Sequence, residues 1–166
     1  EDAARLARAE NAGYTTDAYH GSRSLNTDSA IYGREAQEGV PLQGDEFYST
    51  ANPVLAEQYA NMLNTDPNKG YHASQDAGIT PLKLNTQDYH VVDAQGKHWT
   101  NINRKAISEA RAQGKPGVTI HNVWDEYAST KNLPTPNTIH ITLPEGFHTV
   151  RSPIAQFKDL NINDLL

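Results

Sequence analysis

The sequence predicts an α+β domain with a mostly antiparallel sheet. Three observations predict it: the strands are many and short, only two or three segments are helical, and strands and helices do not alternate in a regular βαβ pattern. With 166 residues, of which 37% are hydrophobic, the chain is long enough for one sizeable core and too short for two domains. We therefore expect a single domain over residues 1–166.

Helices are predicted from propensity and capping. Residues 2–11 are rich in alanine and should form an N-terminal helix within residues 1–13. Asn52 followed by Pro53 offers an N-cap and a proline at the first helical position, which predicts a second helix. Apolar spacing predicts a third helix over residues 103–113.

Strands are predicted where short apolar or alternating runs occur. These runs are residues 18–20, 47–48, 79–84, 89–92, 118–123, 138–143 and 149–150. Pro81 lacks a backbone N–H, so its strand should lie towards a sheet edge. The polar stretches 24–46, 64–77 and 125–136 are predicted as loops, with one helical turn near 29–32.

The composition excludes several classes of site. A net charge of -6 disfavours a general electrostatic grip on nucleic acid. The absence of cysteine excludes disulfides, thiolate metal ligands and cysteine nucleophiles. The seven histidines lack the spacing of a metal site, so no metal is expected.

Targeting signals are also missing from the sequence. No stretch approaches the roughly 18 apolar residues of a membrane span. The first residues do not resemble a signal peptide and include no initiator Met. We interpret the chain as a domain or mature fragment of a longer protein that acts in a cytoplasm, its own or that of a target cell.

Two motifs point to a binding site. His20 ends a short strand and precedes Gly21 and Ser22, so its imidazole could bond a ligand hydroxyl while the glycine lets a ligand approach the backbone. Tyr48 and Tyr59 are eleven residues apart across a strand-to-helix transition, so their rings could flank a planar group. Taken singly, each motif is better explained otherwise: the first as a turn glycine beside a surface histidine, the second as two core tyrosines.

Acidic side chains follow two predicted strands. Asp125 and Glu126 come after the strand that ends near residue 123, and Asp88 and Asp93 flank another. Carboxylates at a strand exit often line sites, and they are equally common in solvated loops.

Taken together, these motifs resemble ADP-ribosyltransferases of the diphtheria-toxin and poly(ADP-ribose) polymerase type. The likeness is closer to the ADP-ribosyltransferase-like domains of phage polyvalent proteins and bacterial effectors. Those run from a Tyr-His-Gly-Thr/Ser strand through a Tyr-x-Thr strand and helix to a Gly-x-x-Gly-Val strand followed by Asn-Val-x-Asp. Residues 114–125 match the third stretch, Asn137-Thr138-Ile139-His140-Ile141 matches the last core strand, and Val150-Arg151-Ser152 matches the closing tripeptide. The resemblance covers a core of about residues 14–157.

The resemblance implies a split, mostly antiparallel sheet with peripheral helices and NAD, a substrate, in its cleft. His20 would bond the adenosine ribose, and the Gly21 backbone would hold the nicotinamide carboxamide with Ser22 beside it. Tyr48 and Tyr59 would sandwich the nicotinamide ring.

The resemblance also marks a departure. Polymerases of the family carry a glutamate on the last core strand that binds the nicotinamide ribose, and the matching position here is Thr138. We expect Thr138 at the NAD site, but a hydroxyl cannot supply a full negative charge to an oxocarbenium-like transition state. Polymer synthesis is therefore not expected. Asp125 is the candidate catalytic carboxylate, with Glu126 second.

The predicted activity is transfer of one ADP-ribose unit from NAD to a macromolecular acceptor, with release of nicotinamide. Asp125, Tyr48 and His20 are the candidate catalytic residues. The acidic composition favours protein over nucleic acid as acceptor, and the resemblance suggests a toxin, an effector or a phage protein. Two other functions stay open: an inactive NAD-binding or interaction module, and an enzyme such as an NAD glycohydrolase or a relative of RNA 2′-phosphotransferase.

Overall fold

The protein is an α+β domain built on one seven-stranded, mostly antiparallel sheet. The computed structural model describes residues 2–22, 46–61, 78–125, 137–155 and 157. The predicted loops 24–46, 64–77 and 125–136 lie outside the described residues, apart from Glu46 and Asp125 at their ends. The predicted class and the mostly antiparallel sheet are confirmed.

Helices and strands follow the predicted order, with small shifts at their ends. The helices are α1 (Asp2–Asn11), α2 (Pro53–Asn61) and α3 (Asn103–Ala112), with 3-10 turns at Trp99–Asn101 and Pro144–Thr149. The strands are β1 (Thr16–Ser22), β2 (Phe47–Thr50), β3 (Gly78–Leu84), β4 (His90–Asp93), β5 (Gly117–Val123), β6 (Asn137–Thr142) and β7 (Val150–Arg151).

The start of α2 is fixed by the predicted cap. The Asn52 side-chain oxygen accepts a hydrogen bond from the Val54 N–H at 3.0 Å, which satisfies one of the free donors at the helix start. The Asn52 amide also donates to Asn137 Oδ1 at 3.2 Å, so the same residue ties α2 to the first residue of β6.

The sheet has one junction, between β1 and β2, at which few residues pair. Its strand order is β4-β5-β6-β2-β1-β3-β7. β1 pairs with β3 at seven register positions and β2 pairs with β6 at four. Within the described residues, β1 and β2 pair only at Tyr19 with Thr50. The sheet therefore consists of two half-sheets, β4-β5-β6-β2 and β1-β3-β7, joined at this position.

One pair of strands in the otherwise antiparallel sheet is parallel. β4 and β5 run parallel, and α3 lies between them in the chain, so the fold contains one βαβ unit. A strand of four residues such as β4 is too short for its pairing direction to be read from periodicity, because that direction depends on the crossover that follows it.

Among the described residues, Pro81 has a paired strand on one side only. β3 is flanked by β1 and β7, and Pro81 pairs with Tyr19 of β1. β7 pairs only with Lys83 and Leu84 in the described part of the sheet. A residue without a backbone donor is accommodated there because no second described strand requires its hydrogen bond.

Two hydrophobic clusters lie on opposite faces of the sheet, and the second spans the β1–β2 junction. The first packs inward residues of β5 and β6, such as Ile120 and Ile141, against Ala106, Ile107 and Ala110 of α3. The second is formed by Ala18, Phe47, Leu82 and Leu84, with Phe147 and Val150 packed against it. On the sheet face that packs against α3, the β1–β2 junction is therefore available for other contacts.

A short row of polar residues is buried across the sheet. His140 is 4% exposed and pairs in register with Ser49 on one side and Thr119 on the other. The Thr119 hydroxyl lies 3.0 Å from His140 Nδ1. Burial, with a smaller contribution from the nearby His121, lowers the pKa of His140 to about 4.

We predict that His140 makes the protein less stable in mild acid. The unfolded chain takes up a proton near pH 6.5, while the folded chain binds it only near pH 4, so the free energy of unfolding should fall as pH drops through this range. The total loss is on the order of 3 kcal/mol. Urea unfolding at several pH values measures it.

His140→Gln is the variant for this test, because glutamine can hydrogen-bond Thr119 and does not titrate. Its pH dependence between 4 and 6.5 should be flatter than that of the wild type. His148→Gln, at an exposed position, is the control for replacing a histidine. Parallel curves for wild type and His140→Gln would contradict the prediction.

Candidate functional site

A cavity of about 260 Å³ opens at the β1–β2 junction. It lies between α2 and the 3-10 turn that begins at Trp99. Its lining consists of Tyr19, His20, Gly21, Tyr48, Ser49, Thr50, Leu55, Ala56, Tyr59, Trp99 and Ile139. Four predicted site residues from three separate parts of the sequence, His20, Gly21, Tyr48 and Tyr59, therefore meet in one place.

His20 is held by β2. Its Nδ1 lies 2.6 Å from the Tyr48 carbonyl oxygen, and its ring stacks on Phe47 with centroids 4.5 Å apart. Because a carbonyl only accepts, the Nδ1 carries the proton and donates it. In the neutral ring Nε2 is then an acceptor, which suits a ligand hydroxyl.

Gly21 allows α2 to lie directly on β1. A β-carbon at this position would lie 1.8 Å from the Ala56 carbonyl oxygen. Only glycine permits that approach. It brings Tyr59, one helical turn beyond Ala56, to the cavity.

Tyr48 presents its ring to the cavity and its hydroxyl to a carboxylate. The hydroxyl donates to Glu46 Oε2 at 3.2 Å. Burial, followed by the charge and hydrogen bond of Glu46, raises the pKa of Tyr48 to about 12, although Asn103 and Arg104 act in the opposite direction. The phenol therefore stays protonated and remains a donor at neutral pH.

Tyr59 has a similar arrangement. Its hydroxyl donates to Asp125 Oδ2. Asp125 is 0% exposed and is not among the residues that line the cavity. The predicted catalytic carboxylate is therefore near the cavity, but Tyr59 separates it from the cavity.

Thr138 is not brought to the cavity. Side chains alternate along β6, so Thr138 lies on the face opposite to Ile139, which lines the cavity. The Thr138 hydroxyl lies 3.1 Å from His121 Nδ1. The neighbouring residue Asn137 shares the face of Ile139. It is 5% exposed, and its Nδ2 has no hydrogen-bond partner among the described residues.

Sequence reasoning missed seven of the eleven cavity residues, and three of them have aromatic rings or a hydroxyl without a described partner. Trp99 reaches the cavity from the β4–α3 connection, and its ring meets that of Tyr48 edge-on at 6.4 Å. Tyr19 adds another aromatic ring. The Ser49 hydroxyl is 4% exposed and has no hydrogen-bond partner within the described part of the chain. Ser49 and Tyr19 stand next to residues that the motifs singled out, whereas no local signal marks Trp99.

Two of the predicted residues are described only in part or not at all. Ser22 ends β1, where it pairs in register with Gly78. Glu126 lies outside the described residues.

Metal and membrane features are absent from the described residues. Within the described ranges, no group of three or more His, Asp or Glu side chains is placed to hold a metal ion. No helix in the described part of the chain is both long and apolar enough to cross a membrane.

We predict that Gly21→Ala displaces α2. The added methyl group meets a backbone carbonyl that can yield only if the helix moves, so the expected loss is about 1–3 kcal/mol in the free energy of unfolding. Denaturant unfolding measures it. Gly96→Ala is the control, because no atom lies within 4 Å there and only its positive φ strains the alanine. The near-UV circular dichroism of the aromatic residues should change in Gly21→Ala and stay unchanged in Gly96→Ala; an unaltered Gly21→Ala protein would contradict the prediction.

The chain was compared with known proteins on the basis of both its sequence and its fold. No family model, no curated protein and no solved structure matches it. The function must therefore be argued from the cavity and the residues around it.

Proposed function

We propose that the protein transfers a single ADP-ribose unit from NAD to a macromolecular acceptor, with protein favoured over nucleic acid. One observation carries this proposal: His20, Gly21, Tyr48 and Tyr59, selected from two separate motifs, line the same cavity. The narrow β1–β2 junction supports it further, since a split sheet with a ligand in its cleft is what the resemblance implies.

The size and lining of the cavity suit the nicotinamide end of NAD. Ligand pockets for larger molecules span roughly 300–1,000 Å³. A cavity of about 260 Å³ suits one planar ring with part of its ribose. The aromatic rings supply stacking surfaces, and the imidazole of His20 adds a polar group to the lining.

In the proposed reaction, the bond between C1′ of the ribose and the nicotinamide nitrogen breaks, and its electron pair stays with the nicotinamide. The ribose becomes oxocarbenium-like. The acceptor nucleophile then attacks C1′ and loses its proton to water. Positioning and electrostatic stabilisation provide most of the catalysis. Asp125 remains the proposed source of negative charge and acts through the Tyr59 hydroxyl.

A specific observation favours a second candidate. None of the cavity-lining residues is a carboxylate, so the cavity itself offers no full negative charge to a cationic sugar. An NAD-binding module without turnover would have such a cavity. The third candidate, an NAD glycohydrolase, differs only in using water as acceptor.

The protein is incubated with a cell lysate and NAD labelled in its adenylate. We expect the label on protein. Label on nucleic acid would show that the acceptor is a nucleic acid and not a protein. Free ADP-ribose without labelled macromolecules would indicate hydrolysis of NAD. NAD that binds but stays intact would indicate the NAD-binding module. Failure to bind NAD would overturn the proposal.

Tyr48→Ala tests the site. We expect NAD binding to weaken by at least tenfold, because stacking on an aromatic ring is worth about 0.5–1.5 kcal/mol beyond the buried area that is also lost. Calorimetry with NAD measures it. Tyr14→Ala is the matched control, since Tyr14 packs against Phe157 and donates its hydroxyl to the His148 carbonyl at 2.5 Å, away from the cavity lining. Equal affinities of the two variants would argue against the assigned site.

A further inference from the structure

Two of the three tyrosines that line the cavity donate their hydroxyl to a carboxylate. Tyr48 donates to Glu46, and Tyr59 donates to Asp125. Neither carboxylate lines the cavity. The cavity thus has an aromatic inner surface with two acidic groups just outside it.

This arrangement favours positive charge in the cavity. The face of an aromatic ring attracts a cation within about 6 Å of its centre. A phenol that donates to a carboxylate is polarised, so its oxygen and ring become more electron-rich. The negative charge of each carboxylate adds a direct attraction, which is strong where water is excluded.

The rings also favour a planar guest. Tyr48 meets Trp99 edge-on at 6.4 Å, and both rings line the cavity together with Tyr59. A flat ring can stack on such surfaces, whereas a tetrahedral ammonium group would contact them over less area.

We propose that the two carboxylates behind the tyrosine hydroxyls make the cavity selective for a planar ring that carries positive charge. The inference rests on the proposed function, in which that ring is the oxidised nicotinamide of NAD. Glu46 and Asp125 are then specificity-determining residues that act through Tyr48 and Tyr59. The dihydronicotinamide of NADH and free nicotinamide carry no charge and bind more weakly.

The selectivity has a consequence for turnover. Cleavage returns an electron pair to the ring nitrogen, so the ring loses its charge when the bond to C1′ breaks. The cavity that holds the substrate ring therefore releases the product ring. The positive charge passes to the adjacent sugar and stays close to the same carboxylates.

The two carboxylates lie in different surroundings. Arg111 Nη2 lies 3.4 Å from Glu46 Oε1, and Arg104 lies near enough to act on Tyr48, so part of the Glu46 charge is offset. Asp125 is fully buried, where screening by water is weakest.

The experiment compares two probes of nearly the same shape by calorimetry: 1-methylnicotinamide, which is a planar cation, and nicotinamide, which is neutral. We expect the wild type to bind the cation about tenfold more tightly. Asp125→Asn and Glu46→Gln keep an acceptor for the tyrosine hydroxyl and remove its charge. Each should lower the ratio of the two affinities. Glu57→Gln, at an exposed position on α2, is the matched control and should keep the ratio.

Several outcomes would overturn the inference. Equal affinities for the two probes would show that the cavity does not select for positive charge. The proposed function would not be affected. If both variants fold and the ratio of the two affinities is unchanged, Glu46 and Asp125 do not determine the selectivity. Tetramethylammonium binding as tightly as 1-methylnicotinamide would show a cation site without preference for a flat ring. Binding of neither probe would overturn the inference and the nicotinamide site of the proposed function together.

Discussion

The close approach of α2 to β1 at Gly21 is the constraint on which the cavity depends. The Ala56 carbonyl occupies the space that a side chain would fill at Gly21, and this sets the distance between helix and strand. At its start, the same helix is tied to β6 through Asn52 and Asn137. α2 therefore contacts both half-sheets, and Tyr59 is positioned by two independent attachments rather than by its own packing alone.

Much of the fold could be predicted because its signals are local. Asn52 and Pro53 specify a helix start whatever surrounds them, and α2 begins at Pro53 as predicted. The strands were located to within one or two residues in most cases, because β-branched and apolar runs are local as well. The β4–α3–β5 unit was missed because pairing direction is a property of two strands and their connection.

The candidate site was predictable in part for the same reason. His20 and Gly21 are adjacent in sequence, and the spacing of Tyr48 and Tyr59 follows from one strand and one helix. Thr138 shows the limit of this reasoning. In a strand, an error of one position transfers the expected role to the opposite face, and here the cavity face carries Asn137.

Burial was the property that sequence reasoning could judge least. The sequence is equally compatible with Asp125 in a site and in a solvated loop, and the structure buries it fully behind Tyr59. A buried carboxylate needs hydrogen-bond donors, and the Tyr59 hydroxyl that satisfies it comes from a distant part of the chain. The same holds for His140, whose burial beside Thr119 depends on the pairing of β5 with β6.

The weak pairing at the junction between the half-sheets also bears on motion. Among the residues described, β1 and β2 share one register position, so few backbone hydrogen bonds join the halves. Side chains join them instead: Phe47 of β2 packs with Ala18, Leu82 and Leu84 of the other half, and its ring stacks on His20. Motion at this junction is therefore limited by side-chain packing and by α2 rather than by the strand ladder. A ligand bound across it would act as a brace between the halves, slowing amide hydrogen exchange in β1 and β2 without changing the average fold.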